Sequence, residues 1–442
     1  MLKCLRKERK ERKERKEASS MTFREVLHHP KRYTVSFGKW TVLAILIGIS
    51  GGLLGAGFHH VLHFVTHLRA EHSWLIFFLP VGGLLTIGLY RILWLRSNRG
   101  TNEIIEATLE GGHISPLVAP GIFLSTALTH LFGGSAGREG AALQLGGSVA
   151  SILGRLFRFK RDDRKILIMG GMSAVFAGLF GTPLTACLFT MEFASVGTIF
   201  SPALLPCFLS ALVASQLSST LGVHAEVFPL NTAVTLGFGN IWKFLLLAIS
   251  VSMLGVFMCW LFHKTEHLSH KWLPNTWLRI LVGGLLVVGM TLLVGDHRYN
   301  GAGMDMALKA VSGEANWYDF ALKMFFTAVT LAAGFKGGEI VPTFCVGATF
   351  GCLIGTLLGL DPGVAAALGL VGLFCCATNS ALASIVLSIE MFGGANLYLF
   401  SLVCVICFVL SGHSGLYASQ IIQFSKAAEM DEWLEAKTAP EQ

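Results

Sequence analysis

Charge is the first thing this sequence is short of. Only 14% of its 442 residues are Asp, Glu, Lys or Arg, where soluble domains run near a quarter, so a water-solvated surface over the whole chain is excluded. Polar stretches long enough to make a soluble domain are missing as well, because the longest ones lie at the two ends. There is no nucleotide loop, haem motif or regulatory domain, so neither ATP coupling nor a cofactor is expected. No CxxC pair with nearby histidines suggests a metal. The ten cysteines are scattered among apolar residues, with only Cys375 and Cys376 adjacent, and read as buried, inert thiols.

What is present is apolar sequence. The hydrophobic fraction is 53% and the mean hydropathy +0.62. Runs near 40–66, 75–95, 199–222, 240–262, 278–294 and 395–423 are each long enough for the roughly 20 residues that cross about 30 Å of hydrocarbon. More interrupted runs between them bring the expected total to about ten or more membrane segments, all helical because backbone in lipid must satisfy its own hydrogen bonds. The fold class is therefore all-α and polytopic, in a cell membrane.

The formal charge of +7 is concentrated in "MLKCLRKERKERKERKE", where nine Lys/Arg oppose four Glu. Its RKE repetition suits a solvated arm better than a nucleic-acid face, and Met21 offers a more ordinary start. It lacks the apolar region of a signal peptide. With the basic loop "FRFKRDDRK" (157–165), this arm places the N-terminus in the cytoplasm. The expected divisions are an arm over 1–39, membrane repeats over 40–225 and 226–423, and a cytoplasmic tail over 424–442.

The two repeats are legible as three ordered matches. "TNEIIEATLEGG" (101–112) lies opposite "GAGMDMALKAVSG" (301–313). "GREGAALQLGGSVAS" (137–151) lies opposite "GGEIVPTFCVGATFG" (337–351), setting Glu139 against Glu339 and Gly147 against Gly347. "GTPLTACLFTMEF" (181–193) lies opposite "NSALASIVLSIEM" (379–391), setting Glu192 against Glu390. Whether the halves are parallel or inverted is left open by these matches.

Glycine-rich breaks at 99–103, 133–140 and 334–342 read as helix ends stopping inside the membrane, tolerated only beside protein or a water-filled cavity. A helix N-terminus offers unpaired N–H groups and about half a positive charge, and glycine lets a ligand approach the backbone. Several such ends together make a site that favours a small anion yet lets it leave. Glu139 at such an end is a tethered anion. It can occupy the site when ionised and leave when protonated, which makes it a candidate gate and proton carrier. The plainer alternatives are that it pairs with Arg138 or caps a helix.

These motifs resemble the CLC family of chloride channels and anion/proton antiporters. "GSAGREGAALQLGG" is similar to its G-(K/R)-E-G-P signature with Ala141 in place of proline, "GGEIVP" to its G-x-F-x-P motif, and "GLYASQ" (415–420) to the segment with its pore tyrosine, here Tyr417. The likeness covers about 40–423. It implies inverted repeats with broken helices, a homodimer with one halide pathway per subunit, and Glu139 as gate. It further implies an anion pathway formed by Gly100, Thr101 and Asn102, by Arg138, Gly140 and Ala141, by Ile340 and Val341, and by Tyr417.

The departures are informative. The family's G-S-G-I-P motif is replaced near Gly100-Thr101-Asn102-Glu103, Glu339 enters beside Ile340, and Phe193 stands where chloride/proton antiporters carry an inner glutamate. Together they resemble the fluoride-exporting branch and make Glu339 the candidate second proton relay. Chloride and fluoride both remain open, as do exchange and passive conduction.

Three other features have competing readings. "GGSAG" (133–137) matches the G-x-S-x-G nucleophile pattern with His130 nearby, but without the strand–turn–helix setting a hydrolase needs. His59, His63 and His67 fall on one helix face, either as a metal or proton site or as an interfacial cluster at the end of the first span. Glu192 and Glu390 read first as structural hydrogen-bond acceptors. Replacing Ser135 by Ala is expected to leave anion flux from liposomes at the wild-type rate; abolished flux would reopen the hydrolase reading.

Overall fold

The computed structural model describes residues 23–95, 99–228, 230, 232–424 and 426. The basic segment 1–17, Met21 and most of the expected C-terminal tail lie outside the described residues. Among the described residues are sixteen α-helices. The first eight are α1 (Phe23–Glu71), α2 (Leu79–Ile92), α3 (Thr101–Glu110), α4 (Val118–Leu131), α5 (Glu139–Leu156), α6 (Arg161–Phe180), α7 (Pro183–Glu192) and α8 (Leu204–Thr220). The second eight follow in the same order: α9 (Ile241–Trp272), α10 (Thr276–Val294), α11 (Met304–Val311), α12 (Asp319–Ala333), α13 (Ile340–Leu358), α14 (Pro362–Thr378), α15 (Ala381–Phe392) and α16 (Leu397–Leu410).

Six helical segments are long and apolar enough to cross a membrane. Two stretches of the chain differ from the sequence expectation. The glycine-interrupted stretch after 339 is a continuous span, Ile340–Leu358, whereas the run 395–423 is helical only over Leu397–Leu410. Past that point "SGHSGLYASQ" leaves the helix and returns to the interior. Leu416 N–H donates to Ala377 O (2.8 Å), and the strand β2 (Ile421–Ile422) pairs in parallel with β1 (Ser195–Val196) just after α7.

Two cavities establish that the repeats are inverted. One, of about 1220 Å³, is lined by His59, His63 and His67 near the end of α1, His130 at the end of α4, the 296–298 segment after α10 and Asp319 at the start of α12. The other, of about 640 Å³, is lined by Tyr90 and Arg91 at the end of α2, Ile122 early in α4, Thr276 and Arg279 at the start of α10, and Leu331 and Ala332 at the end of α12. Thus α4 runs from the Arg-lined cavity to the His-lined one, and its repeat partner α12 runs back. The 19 residues of α10 set the two sides about 28 Å apart.

Small residues bring the helices together at equivalent places in the two repeats, one residue out of the register read from the sequence, because α5 and α13 begin at Glu139 and Ile340 and so set Gly146, not Gly147, against Gly347. A Cβ on Gly146 of α5 would sit 2.1 Å from Gly171 O of α6, and one on Gly347 of α13 would sit 2.5 Å from Gly369 O of α14. Backbone contact of this kind is how helices pack where lipid removes the hydrophobic drive between them. The nine described cysteines are all buried free thiols.

The repeats also cap each other. Glu192 at the end of α7 accepts from the amides of Leu382 (3.2 Å) and Ala383 (3.0 Å) at the start of α15. Glu390 near the end of α15 accepts from Leu184 (2.9 Å) and Thr185 (2.8 Å) at the start of α7. Each carboxylate satisfies orphan amides and meets the positive helix end. Glu192→Ala and Glu390→Ala are each expected to destabilise the protein by about 2–3 kcal/mol, read as a lower unfolding midpoint in detergent, with Glu192→Gln milder. An unchanged midpoint in both alanine variants would show that the caps carry no stability.

Candidate functional site

Between the two cavities the repeats touch through two short breaks. Gly137 N–H donates to Gly338 O (2.7 Å) and Gly338 N–H to Gly137 O (2.8 Å), forming an isolated antiparallel bridge. Immediately after it α5 begins at Glu139 and α13 at Ile340. The bridge needs glycine on both strands: a Cβ on Gly137 would lie 2.3 Å, and one on Gly338 2.5 Å, from Glu139 Oε2.

Glu139 is completely buried. Its Oε1 accepts from the Arg138 amide (3.1 Å). Its Oε2 has no partner among the described residues, and the same holds for Glu339 Oε2, Gln144 Oε1 and Tyr417 Oη. A buried polar atom left unpaired is costly. Four of them lie in the segments that meet here.

The other candidate residues surround that place. Thr101 opens α3, and its Oγ1 would lie 3.0 Å from a Cβ on Gly140. Gly140 and Ala141 form the buried first turn of α5, as Ile340 and Val341 do in α13. Among the described residues, no N-cap residue of α3, α5 or α13 caps its helix with its own side chain; the carboxylate that reaches amides at α5 and α13 is that of Glu139, at Arg138 and Val341. Asn102 is turned to another task, its Oδ1 accepting from Ser419 N–H (3.1 Å). That contact, together with Gln420 Nε2 donating to Phe193 O (2.6 Å) and Thr378 O (2.9 Å), holds Tyr417 in place. Phe193 meets the Tyr417 ring edge-on at 6.0 Å. Gly100, Thr101, Asn102, Gln144, Glu339 and Tyr417 all line the Arg-lined cavity.

Arg138 does not pair with the Glu139 carboxylate. Its guanidinium is paired with Glu226, contacts His59 Nδ1 (3.2 Å) and lies over the Phe180 ring at 5.0 Å, at the wall of the His-lined cavity. The ion-pair alternative for Glu139 is thereby replaced by a backbone contact, because the side chain one residue earlier leaves on the opposite side. His59, His63 and His67 stack along α1 with ring centroids 6.4 and 6.5 Å apart. The hydroxyl of Ser135 bonds to Thr327 Oγ1 and Lys323 Nζ (both 3.0 Å), while His130 Nδ1 bonds to Thr126 O (2.9 Å), so the structure shows no Ser135–His130 pair.

Sequence reasoning missed Gln144, Glu226, Lys323 and Lys336. Gln144 was visible as the one amide in the first turns of α5. Lys336 lies over the Tyr90 ring at 4.8 Å in the cavity that holds Glu339. Beside the His-lined cavity, burial and the hydrogen bond from Tyr299 to Asp319 (2.5 Å) push the Tyr299 hydroxyl well above its usual range.

A family model described as voltage gated chloride channel matches residues 89–412. A protein of Pseudomonas syringae pv. tomato named chloride/fluoride channel protein is 35% identical, with 88% of this chain and 87% of that protein covered. An H(+)/Cl(-) exchange transporter of Vibrio cholerae is 25% identical over 81% of this chain and 82% of its own. Among solved structures, a CLC-type fluoride/proton antiporter superposes with a TM-score of 0.85 at 32% identity, covering 91% of this chain and all of that one. A slow cyanobacterial Cl-/H+ antiporter shares the fold, with a TM-score of 0.72 at 22% identity over 84% of this chain and 94% of that one.

Gly338→Ala is expected to displace the Glu139 carboxylate while leaving the helices intact. The variant should elute from size exclusion as wild type does and lose at least about tenfold in anion flux, since a misplacement near 1 Å costs on the order of a hundredfold. Wild-type flux would show that the bridge tolerates a side chain.

Proposed function

The chain belongs to the voltage-gated chloride channel family, and on that premise we propose that it exchanges fluoride for protons across the membrane, with Glu139 as gate and Glu339 as second proton-transfer group. The observation that carries this reading is the pair of glutamates flanking the Gly137–Gly338 bridge, each with one unpartnered carboxylate oxygen. Glu139 lies between the cavities at a helix N-terminus where an anion is favoured. Ionised, its carboxylate competes with the halide for that place. Protonated, it gives the place up and carries a proton with it, so halide and proton alternate there.

Glu339 lines the Arg-lined cavity and gives the proton a second station. It does so in the absence of an acid after Glu192, where Phe193 is buried against Tyr417. Gly140, Ala141, Ile340 and Val341 offer the halide the backbone amides of two helix ends, and Thr101 and Tyr417 offer hydroxyls. Arg138, already neutralised by Glu226, shapes the wall of the His-lined cavity instead of binding the ion. Fluoride is favoured over chloride by the likeness to a fluoride/proton antiporter along the whole of that chain and by Glu339 itself.

We further infer a homodimer with the N-terminus in the cytoplasm. The first is what the resemblance to the family implies. The second rests on the basic residues at 158–165.

Purified protein in liposomes, followed with a fluoride electrode and a pH electrode, tests the proposal. A fluoride gradient should drive protons uphill in the opposite direction. Glu139→Gln should abolish that coupling, and Glu339→Gln should cut the proton flux by at least about tenfold. Fluoride flow with no linked proton movement would make Glu139 a gate only and the protein a channel.

A further inference from the structure

Lys323, on α12 one turn after Asp319, is completely buried. Its Nζ donates to Ser135 Oγ (3.0 Å), Tyr299 O (3.1 Å) and Gly301 O (2.6 Å). An ammonium has three N–H groups and a neutral amine two, so three acceptors match the charged form. All three acceptors are neutral. Arg138 and Arg298 differ, being paired with Glu226 and with Asp296 and Asp319, whereas Arg69, which lines the same cavity and lies against Gly301, shares with Lys323 the lack of an ion-pair partner among the described residues. Among the described residues Lys323 has no carboxylate within ion-pair distance. A buried charge without a counter-ion is costly inside a membrane and marks a functional position by default.

Its surroundings say what the charge faces. A Cβ on Gly303 would lie 2.8 Å from Lys323 Cε and 3.2 Å from Nζ, and Gly303 lines the His-lined cavity. The ammonium therefore sits directly behind the cavity wall at a point without a side chain. On its other side Ser135 precedes Glu139 by four residues, which limits the chain distance to about 14 Å.

We propose that Lys323 is a residue of the anion pathway: its ammonium, held by Ser135 and the 299–301 turn and neutralised by no acid, concentrates the transported halide where the His-lined cavity meets the Glu139 loop. It acts through its field and not by contact. The inference rests on the transport reading above.

The test is fluoride flux against fluoride concentration in liposomes for wild type, Lys323→Gln and Cys345→Asp. Cys345 Sγ would lie 3.3 Å from the same Gly303 Cβ, so an aspartate there neutralises the ammonium while keeping the lysine. Both variants are expected to raise the half-saturating fluoride concentration about five- to tenfold, with maximal flux within about twofold of wild type. A purely structural lysine predicts the opposite split: lower maximal flux at unchanged half-saturation. Wild-type half-saturation in either folded variant overturns the proposal, and Cys345→Asp decides alone if Lys323→Gln does not fold. A wild-type protein that moves no halide would refute the transport reading instead.

Discussion

The two hydrogen bonds between Gly137 and Gly338 are the interaction on which the rest of this structure depends. They join the ends of two broken helices at a depth where unsatisfied backbone is otherwise excluded. By pairing with each other, the breaks satisfy two amides and two carbonyls, and release the following turns of α5 and α13 to direct their remaining N–H groups at a common place. Everything with chemical content is arranged around that join: the carboxylate of Glu139 against it, Glu339 just after it, Thr101 beside Gly140, and Tyr417 brought in from the far end of the chain.

Inversion of the two halves is what makes such a join possible. Helices running in opposite senses can present N-terminus to N-terminus at mid-depth, whereas parallel repeats would stack like ends on one side. The same geometry recurs in α7 and α15, where each helix ends in a glutamate that caps the other's start. The two solutions to one problem separate by function. In the α7–α15 pair the orphan amides are closed permanently by Glu192 and Glu390, giving stability. At α5 and α13 the carboxylate of Glu139 meets them instead, and in the proposed function it shares them with the transported anion.

Charge is distributed by the same logic. Arg138 and Arg298 have acids beside them, so they shape the cavity wall without imposing a strong field. Lys323 is satisfied by hydroxyl and carbonyl oxygens alone. On the proposed pathway, an anion moving from the His-lined cavity toward Glu139 meets the paired Arg138 and Arg298 and the unpaired Arg69 and Lys323.

The amino-acid sequence by itself determined the membrane class, the doubling of the chain and the position of Glu139 and Glu339, because these follow from local composition: long apolar runs, repeated glycine breaks, and acids where acids are expensive. It also set Glu192 against Glu390 and supported their structural role. Only the tertiary structure decided which way Arg138 points, since its partner Glu226 is 88 residues away, and that the last apolar run breaks at Leu410 so that Tyr417 returns. The same holds for Lys323, which is unremarkable in "DFALKMFF" until the fold places it 188 residues from its Ser135 partner. Periodicity and motif report what neighbours along a helix share; the charge state and direction of a buried side chain are set by partners that only the folded chain brings within hydrogen-bond distance.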